Sequence, residues 1–187
     1  MDFVLMPDDP AAAVNRLADP VVKIVSLTVT EKGYCLGVDF HLDPTNALVM
    51  AEMAPGSPPK SALGLVTAAL IARHSAGVPP FTVMSCDNLP GNGGLTRRTL
   101  LEFAKAKGAA GDAEAAALAT RIEAGGVAFP STMVDRITPV TEAHHRALLE
   151  AEHKISDAVP VVCEEFKQWV VEDDFPNGRP PWEKVRP

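Results

Sequence analysis

The chain has 187 residues, 47% of them apolar, and a net charge of −7. This supports one domain with a real core and excludes disordered and extracellular-scaffold classes. The acidic balance, with no basic run, argues against a nucleic-acid partner, and no apolar stretch approaches the ~20 residues of a membrane span. Three scattered cysteines, Cys35, Cys86 and Cys163, form no CxxC pair. Together with a start that lacks a basic, apolar leader, they point to a reducing, cytoplasmic setting.

Asp9-Pro10 reads as a helix start, with Asp9 as cap and Pro10 in the first turn; the helix stops before Pro20. Val21 to Val29 is rich in β-branched residues and predicts a strand. It ends in the polar loop Thr30-Glu-Lys-Gly-Tyr34. From Gly37 to Pro59 proline and glycine break the pattern, with space for a short helix between Pro44 and Ala54. Ser61 then caps a helix over Ala62–Ala76 that is apolar nearly all round and stops at Gly77.

Phe81 to Met84 reads as a short buried strand. The polar, glycine-rich stretch Ser85–Gly94 follows, and then a helix from Leu95 to Lys107. Gly108 and Gly111 predict a break before a second, alanine-rich helix capped by Asp112. Val127–Pro130 reads as extended, Thr141–His153 as helix, and Val159–Cys163 and Trp169–Val171 as strands. The end of the chain, from Glu172, looks loop-like.

Strands alternating with helices predict an α/β fold with parallel strands and flanking helices. Two strands joined by one crossover helix run parallel, so their following loops emerge at the same edge. That rule places Glu31 near Asn88. Asp87, Asn88 and Asn92 are the polar groups of the second loop. They either hold a ligand or make the turn and cap the next helix. Glu31 is either a functional carboxylate or a solvated one. Asp135-Arg136, flanked by Val134 and Ile137, is either a structural ion pair or part of a site. Gly91-Asn-Gly-Gly94 resembles half a dinucleotide loop, but GxGxxG is absent. Cys86 adjoins the loop with no histidine placed to activate it. His144, His145 and His153 lack metal-ligand spacing.

Five stretches carry a resemblance. They are Thr28-Val-Thr-Glu31-x-Gly-Tyr34; Ser85-Cys-Asp-Asn-Leu-Pro90-x-Asn92-Gly93; Phe129-Pro-x-x-Met133-Val-Asp-Arg-Ile-Thr-Pro139; Val162-Cys-Glu-x-Phe166-x-Gln-Trp-Val170; and Gly178-Arg-Pro-x-Trp182-Glu-Lys184. In this order they resemble the polyol-specific long-chain dehydrogenases, the family of the mannitol 2-dehydrogenases and fructuronate reductases.

The resemblance implies a partial Rossmann-type domain and hydride transfer between a secondary alcohol of a polyol or hexuronate and NAD or NADP. It implies that Asn88 helps stabilise the oxyanion at the substrate carbon and that Asp135 lies close to the catalytic groups. Thr28, Thr30 and Glu31 fall on the loop near the nicotinamide. The glycine-rich phosphate turn that would precede these residues, and the lysine base and helical domain that would follow them, are not among them. The expectation is therefore an internal piece of a dehydrogenase, inactive alone. The alternative is half of a split enzyme that needs a partner chain, or a non-catalytic α/β interaction module.

Overall fold

A computed structural model describes residues 4–135, 138–166 and 168–185, with backbone alone at Val134 and Asp135. The elements are α1 (Pro10–Ala18), β1 (Ile24–Leu27), α2 (Thr30–Gly33), α3 (Ala47–Glu52), α4 (Ala62–Ser75), β2 (Thr82–Ser85), α5 (Asn92–Ala109), α6 (Ala113–Glu123), β3 (Thr132–Asp135), α7 (Ala143–His153) and β4 (Gln168–Val171). A 3₁₀ turn spans Trp182–Lys184. The chain divides into two units, Met1–Thr132 with Val171–Pro187, and Met133–Val170.

The first unit is the α/β body. β1 and β2 pair in parallel, with Ile24 opposite Thr82 and Leu27 opposite Ser85. On the other side of β2, the Val83 N–H donates to the Ala128 carbonyl at 3.0 Å, which ties the Val127–Phe129 segment to the strand. α1 packs on α4, while α4, α5 and α6 pack on one another. Phe81, Val83, Phe103 and Ile122 are fully buried in this core, each burial worth about 1.5–3 kcal/mol before its entropy cost.

The predicted caps are present: Asp9 accepts from Ala12 N, Ser61 from Gly64 N, and Asp112 from Ala115 N. Two buried cations tie elements together. Arg73 donates to the carbonyls of Leu17, Asp19, Val22 and Pro79 at 2.7–3.2 Å, which joins the end of α1 and the approach to β1 to the end of α4. Lys107 donates to the Glu52 carbonyl at 2.6 Å and faces Asp112 at 3.4 Å.

Several boundaries differ from the sequence-based expectation. The strand predicted over Val21–Val29 is four residues long, because β2 offers four partners; Val22 instead closes a turn onto the Asp19 carbonyl. Thr30–Gly33 is a helical turn, not an open loop. α5 starts at Asn92, inside the stretch expected to be loop, and it continues through Gly108. A Cβ at Gly108 would lie 2.9 Å from that of Ala116, so glycine there permits the close approach of α6 rather than breaking the helix. Val159–Cys163 forms no strand.

In the second unit, β3 pairs with β4, and α7 carries no buried residue. Arg136 and Ile137, singled out beside Asp135, lie outside the described residues.

Candidate functional site

β1 and β2 end in register, so the chain leaves both strands at the same rim of the sheet. The loop after β2 folds back onto β1 at once, the Cys86 N–H donating to the Leu27 carbonyl at 2.8 Å. Asp87 comes next and is 9% exposed. Its Oδ1 accepts the Thr30 N–H at 2.8 Å, and its Oδ2 accepts the Val29 N–H at 3.1 Å and the Tyr34 hydroxyl at 2.7 Å. One buried carboxylate thus holds the start and the end of the turn that follows β1.

A phenol has one proton, and Tyr34 gives it to Asp87. The Ser85 hydroxyl, 2.6 Å from the Tyr34 oxygen, therefore donates to it. Burial, the largest influence, pushes the Tyr34 ionisation well above the ordinary phenol range. The Ser85 hydrogen bond opposes this and Asp87 adds to it. Tyr34 is thus a neutral strut.

The same carboxylate accounts for a strained residue. Thr30 has φ of 61°, in the left-handed region, which costs a non-glycine residue about 1–2 kcal/mol. A hydrogen bond to a charged group contributes about 1.5–3 kcal/mol, so the Asp87 contacts outweigh that cost.

Asn92 closes the opposite side of the loop. It is fully buried at the first position of α5. Its Nδ2 donates to the carbonyls of Thr132 at 2.9 Å, Asp87 at 3.0 Å and Ser85 at 3.3 Å, and its Oδ1 accepts the Thr132 N–H at 2.9 Å. The Thr132 hydroxyl adds a bond to the Ser85 carbonyl at 2.7 Å. The next residue must be glycine: a Cβ at Gly93 would lie against the Phe129 carbonyl oxygen and 2.7 Å from Ser131 N.

Of the three polar groups of the second loop, then, Asp87 and Asn92 are structural braces, and neither is free for a ligand. Asn88, held between them, is exposed. Thr28, Thr30 and Glu31 are exposed on the adjoining turn. The rim therefore brings Asn88 and Glu31 to the same edge, as the parallel topology requires. For Asp135 the backbone alone is described, at the end of β3. Cys86 is partly buried, and burial pushes its thiol up, with a hydrogen bond to Thr132 opposing. A protonated thiol is a poor nucleophile.

Sequence reasoning missed the roles of Tyr34, Ser85 and Thr132. Tyr34 did carry a signal: it is the chain's single tyrosine, placed in the turn directly after a strand.

The model of the mannitol dehydrogenase Rossmann domain matches residues 3–184. Mannitol 2-dehydrogenase of Cereibacter sphaeroides is 49% identical over 183 residues, covering 98% of this chain and 36% of that protein. Polyol:NADP oxidoreductase of Gluconobacter oxydans is 45% identical over 185 residues, with the same coverage. Among solved structures, Pseudomonas fluorescens mannitol 2-dehydrogenase, in a ternary complex with NAD and D-mannitol, matches with a TM-score of 0.78 at 49% identity. That match covers 98% of this chain and 36% of the other. The chain thus spans about a third of the length of these relatives. A family model that matches nearly the whole chain, with relatives 45–49% identical, settles the family: the chain belongs to the mannitol dehydrogenase family and matches its Rossmann domain.

Proposed function

We propose that the protein takes part in hydride transfer between a secondary alcohol carbon of a polyol or hexuronate and NAD or NADP, and that these residues supply the nicotinamide-side rim of the site. The observation that carries this reading is the Asp87 carboxylate, which fastens the Val29–Thr30 backbone to the loop bearing Asn88. Relatives named mannitol 2-dehydrogenase and polyol:NADP oxidoreductase, and one structure holding NAD and D-mannitol, support the substrate class.

The rim fits one end of a dinucleotide. Exposed hydroxyls of Thr28 and Thr30 and the Glu31 carboxylate offer polar partners beside Asn88. When bound, the nicotinamide supplies the hydride acceptor or donor. The Asn88 amide N–H donates to the substrate oxygen and stabilises the negative charge that grows on it. The resemblance to the family also assigns Asp135 to the catalytic groups. Neither a proton acceptor nor a phosphate-binding turn is assigned to these residues.

By themselves these residues give no turnover of mannitol, fructose or fructuronate with NAD or NADP. Turnover near the ~10 s⁻¹ typical of enzymes would contradict this division of labour. Within a protein of the relatives' full length, Asn88→Ala lowers kcat by about 10²–10³-fold, the loss typical of one oxyanion donor; unchanged kcat would remove Asn88 from its role.

A second reading rests on the unit Met133–Val170, which has no buried side chain among its described residues. Val159, Val161, Phe166 and Trp169 are all 44–78% exposed. The exposed apolar side chains of its described residues call for a covering surface, which a separate chain supplies if the enzyme is split. Three free cysteines suit a reducing, cytoplasmic setting. Among the described residues, no helix is long and apolar enough to cross a membrane.

A further inference from the structure

The Asp87 carboxylate is a buried, charged group that the proposed chemistry does not use. Its three accepted hydrogen bonds all come from the turn after β1, 53–58 residues earlier in the chain. Its own backbone is pinned as well. The Asp87 carbonyl accepts from Asn92 at 3.0 Å, and Cys86, just before it, is bonded to Leu27. The carboxylate is therefore a fixed post against which the Thr28–Glu31 turn is set.

We propose that Asp87 is the positioning residue of the nicotinamide-side rim: through Val29 N, Thr30 N and the Tyr34 hydroxyl it fixes the distance between the cofactor-facing turn and Asn88. This deepens the reading of the rim given above and rests on it. Hydride transfer needs carbon, oxygen and acceptor held within a few tenths of an ångström, and small misplacements cost rate and affinity steeply. Here the two walls of the rim come from segments far apart in sequence. The turn is also strained at Thr30, so it relaxes unless something holds it.

Asp87→Asn separates positioning from mere folding. The amide keeps the size of the side chain but has one acceptor oxygen in place of two. Thr30 N can still be satisfied, and the amide nitrogen can donate to the Tyr34 oxygen. Val29 N then loses its partner and faces a donor. The turn moves while the core, buried elsewhere, stays.

The test compares NADH binding to the wild-type chain, Asp87→Asn and Leu118→Ala, each at a temperature where circular dichroism shows it folded. Binding is read from amide shifts of residues 28–31 and 88 at millimolar NADH. Leu118 is buried in α6 and takes no part in the Asp87 hydrogen bonds, so it serves as a variant that loses stability alone. The proposal predicts that Leu118→Ala binds as wild type while Asp87→Asn binds about tenfold more weakly or not at all, the equivalent of one lost charge-assisted bond. It also predicts altered Val29 and Thr30 amide shifts in Asp87→Asn before any ligand is added. If Asp87→Asn binds as wild type, Asp87 is structural alone and the proposal fails while the rim stands. If wild type shows no shifts at these residues, the rim reading fails and takes the proposal with it.

Discussion

Asp87 and Thr30 lie 57 residues apart in sequence, and the carboxylate of one accepts the backbone N–H of the other at 2.8 Å. The contact joins the loops after two neighbouring parallel strands. It also fixes a threonine in the left-handed region. Most of the site's behaviour follows from how that contact is supported.

Tyr34 gives the most accessible optical test, since it is the chain's single tyrosine. Burial chiefly raises its ionisation in the folded chain, whereas the unfolded phenol titrates near pH ~10. The unfolded state therefore loses its proton first as pH rises. The stability contributed by Tyr34 is fully present below pH ~10 and is lost progressively above it. Absorbance near 295 nm should show no phenolate at pH ~10 while the chain is folded, and phenolate should appear together with unfolding. A smooth titration near pH ~10 in folded protein would show that Tyr34 is not the buried strut described.

Asn92→Ala removes a side chain that bonds Ser85, Asp87 and Thr132 and leaves those groups buried or half-buried without it. The loss should be about 3 kcal/mol, since each orphaned buried group costs about 1–3 kcal/mol. Urea titration measures it directly. A change below 1 kcal/mol, a value within the scatter of surface substitutions, would mean that water replaces the amide.

Gly93 and Gly94 should respond in opposite directions. A Cβ at Gly93 meets backbone of Phe129, Pro130 and Ser131, whereas a Cβ at Gly94 meets nothing within 4 Å. Gly93→Ala should destabilise by about 1–3 kcal/mol through overpacking against backbone. Gly94→Ala should stabilise by up to ~1 kcal/mol, because alanine is the better helix former. Melting temperatures of the pair decide it, and equal shifts would contradict the close approach of α5 to the Phe129–Ser131 segment.

Arg73→Met should cost about 3 kcal/mol, because the four carbonyls that Arg73 satisfies lie in the part-buried junction of α1, β1 and α4. Arg73→Lys should recover little, since one ammonium cannot span the fork of a guanidinium. Denaturant midpoints for the two variants check this; full rescue by lysine would show that charge alone matters.

Much of the rim was legible before any coordinates. A β-branched run followed by a polar turn, and a short apolar strand followed by Ser85–Gly94, were enough to place Glu31 and Asn88 at one edge through the geometry of parallel pairing. The caps at Asp9, Ser61 and Asp112 were legible because each satisfies amides three residues away. For Asp87 and Asn92 the choice between holding a ligand and making the turn stayed open for the opposite reason. Their partners lie 53–58 residues back and 40 residues ahead, and nothing local in the sequence marks such a reach. Gly93 read as loop and Gly108 as a break because propensity opposes glycine in helices, yet each is demanded by a neighbour's approach. Val159–Cys163 shows the limit of composition: β-branched residues make a strand only where another strand's backbone is available to pair with them.

The central claim is that the Thr28–Glu31 turn and the Asn88 loop form a single nicotinamide-binding edge. Its most direct test is a residue-resolved amide shift map of the wild-type chain titrated with NADH. The account predicts weak binding, with dissociation beyond the millimolar range, and shifts concentrated at Thr28–Glu31 and Ser85–Leu89. Shifts concentrated elsewhere, for example along α4 and α6, or at one of the two loops without the other, would contradict it.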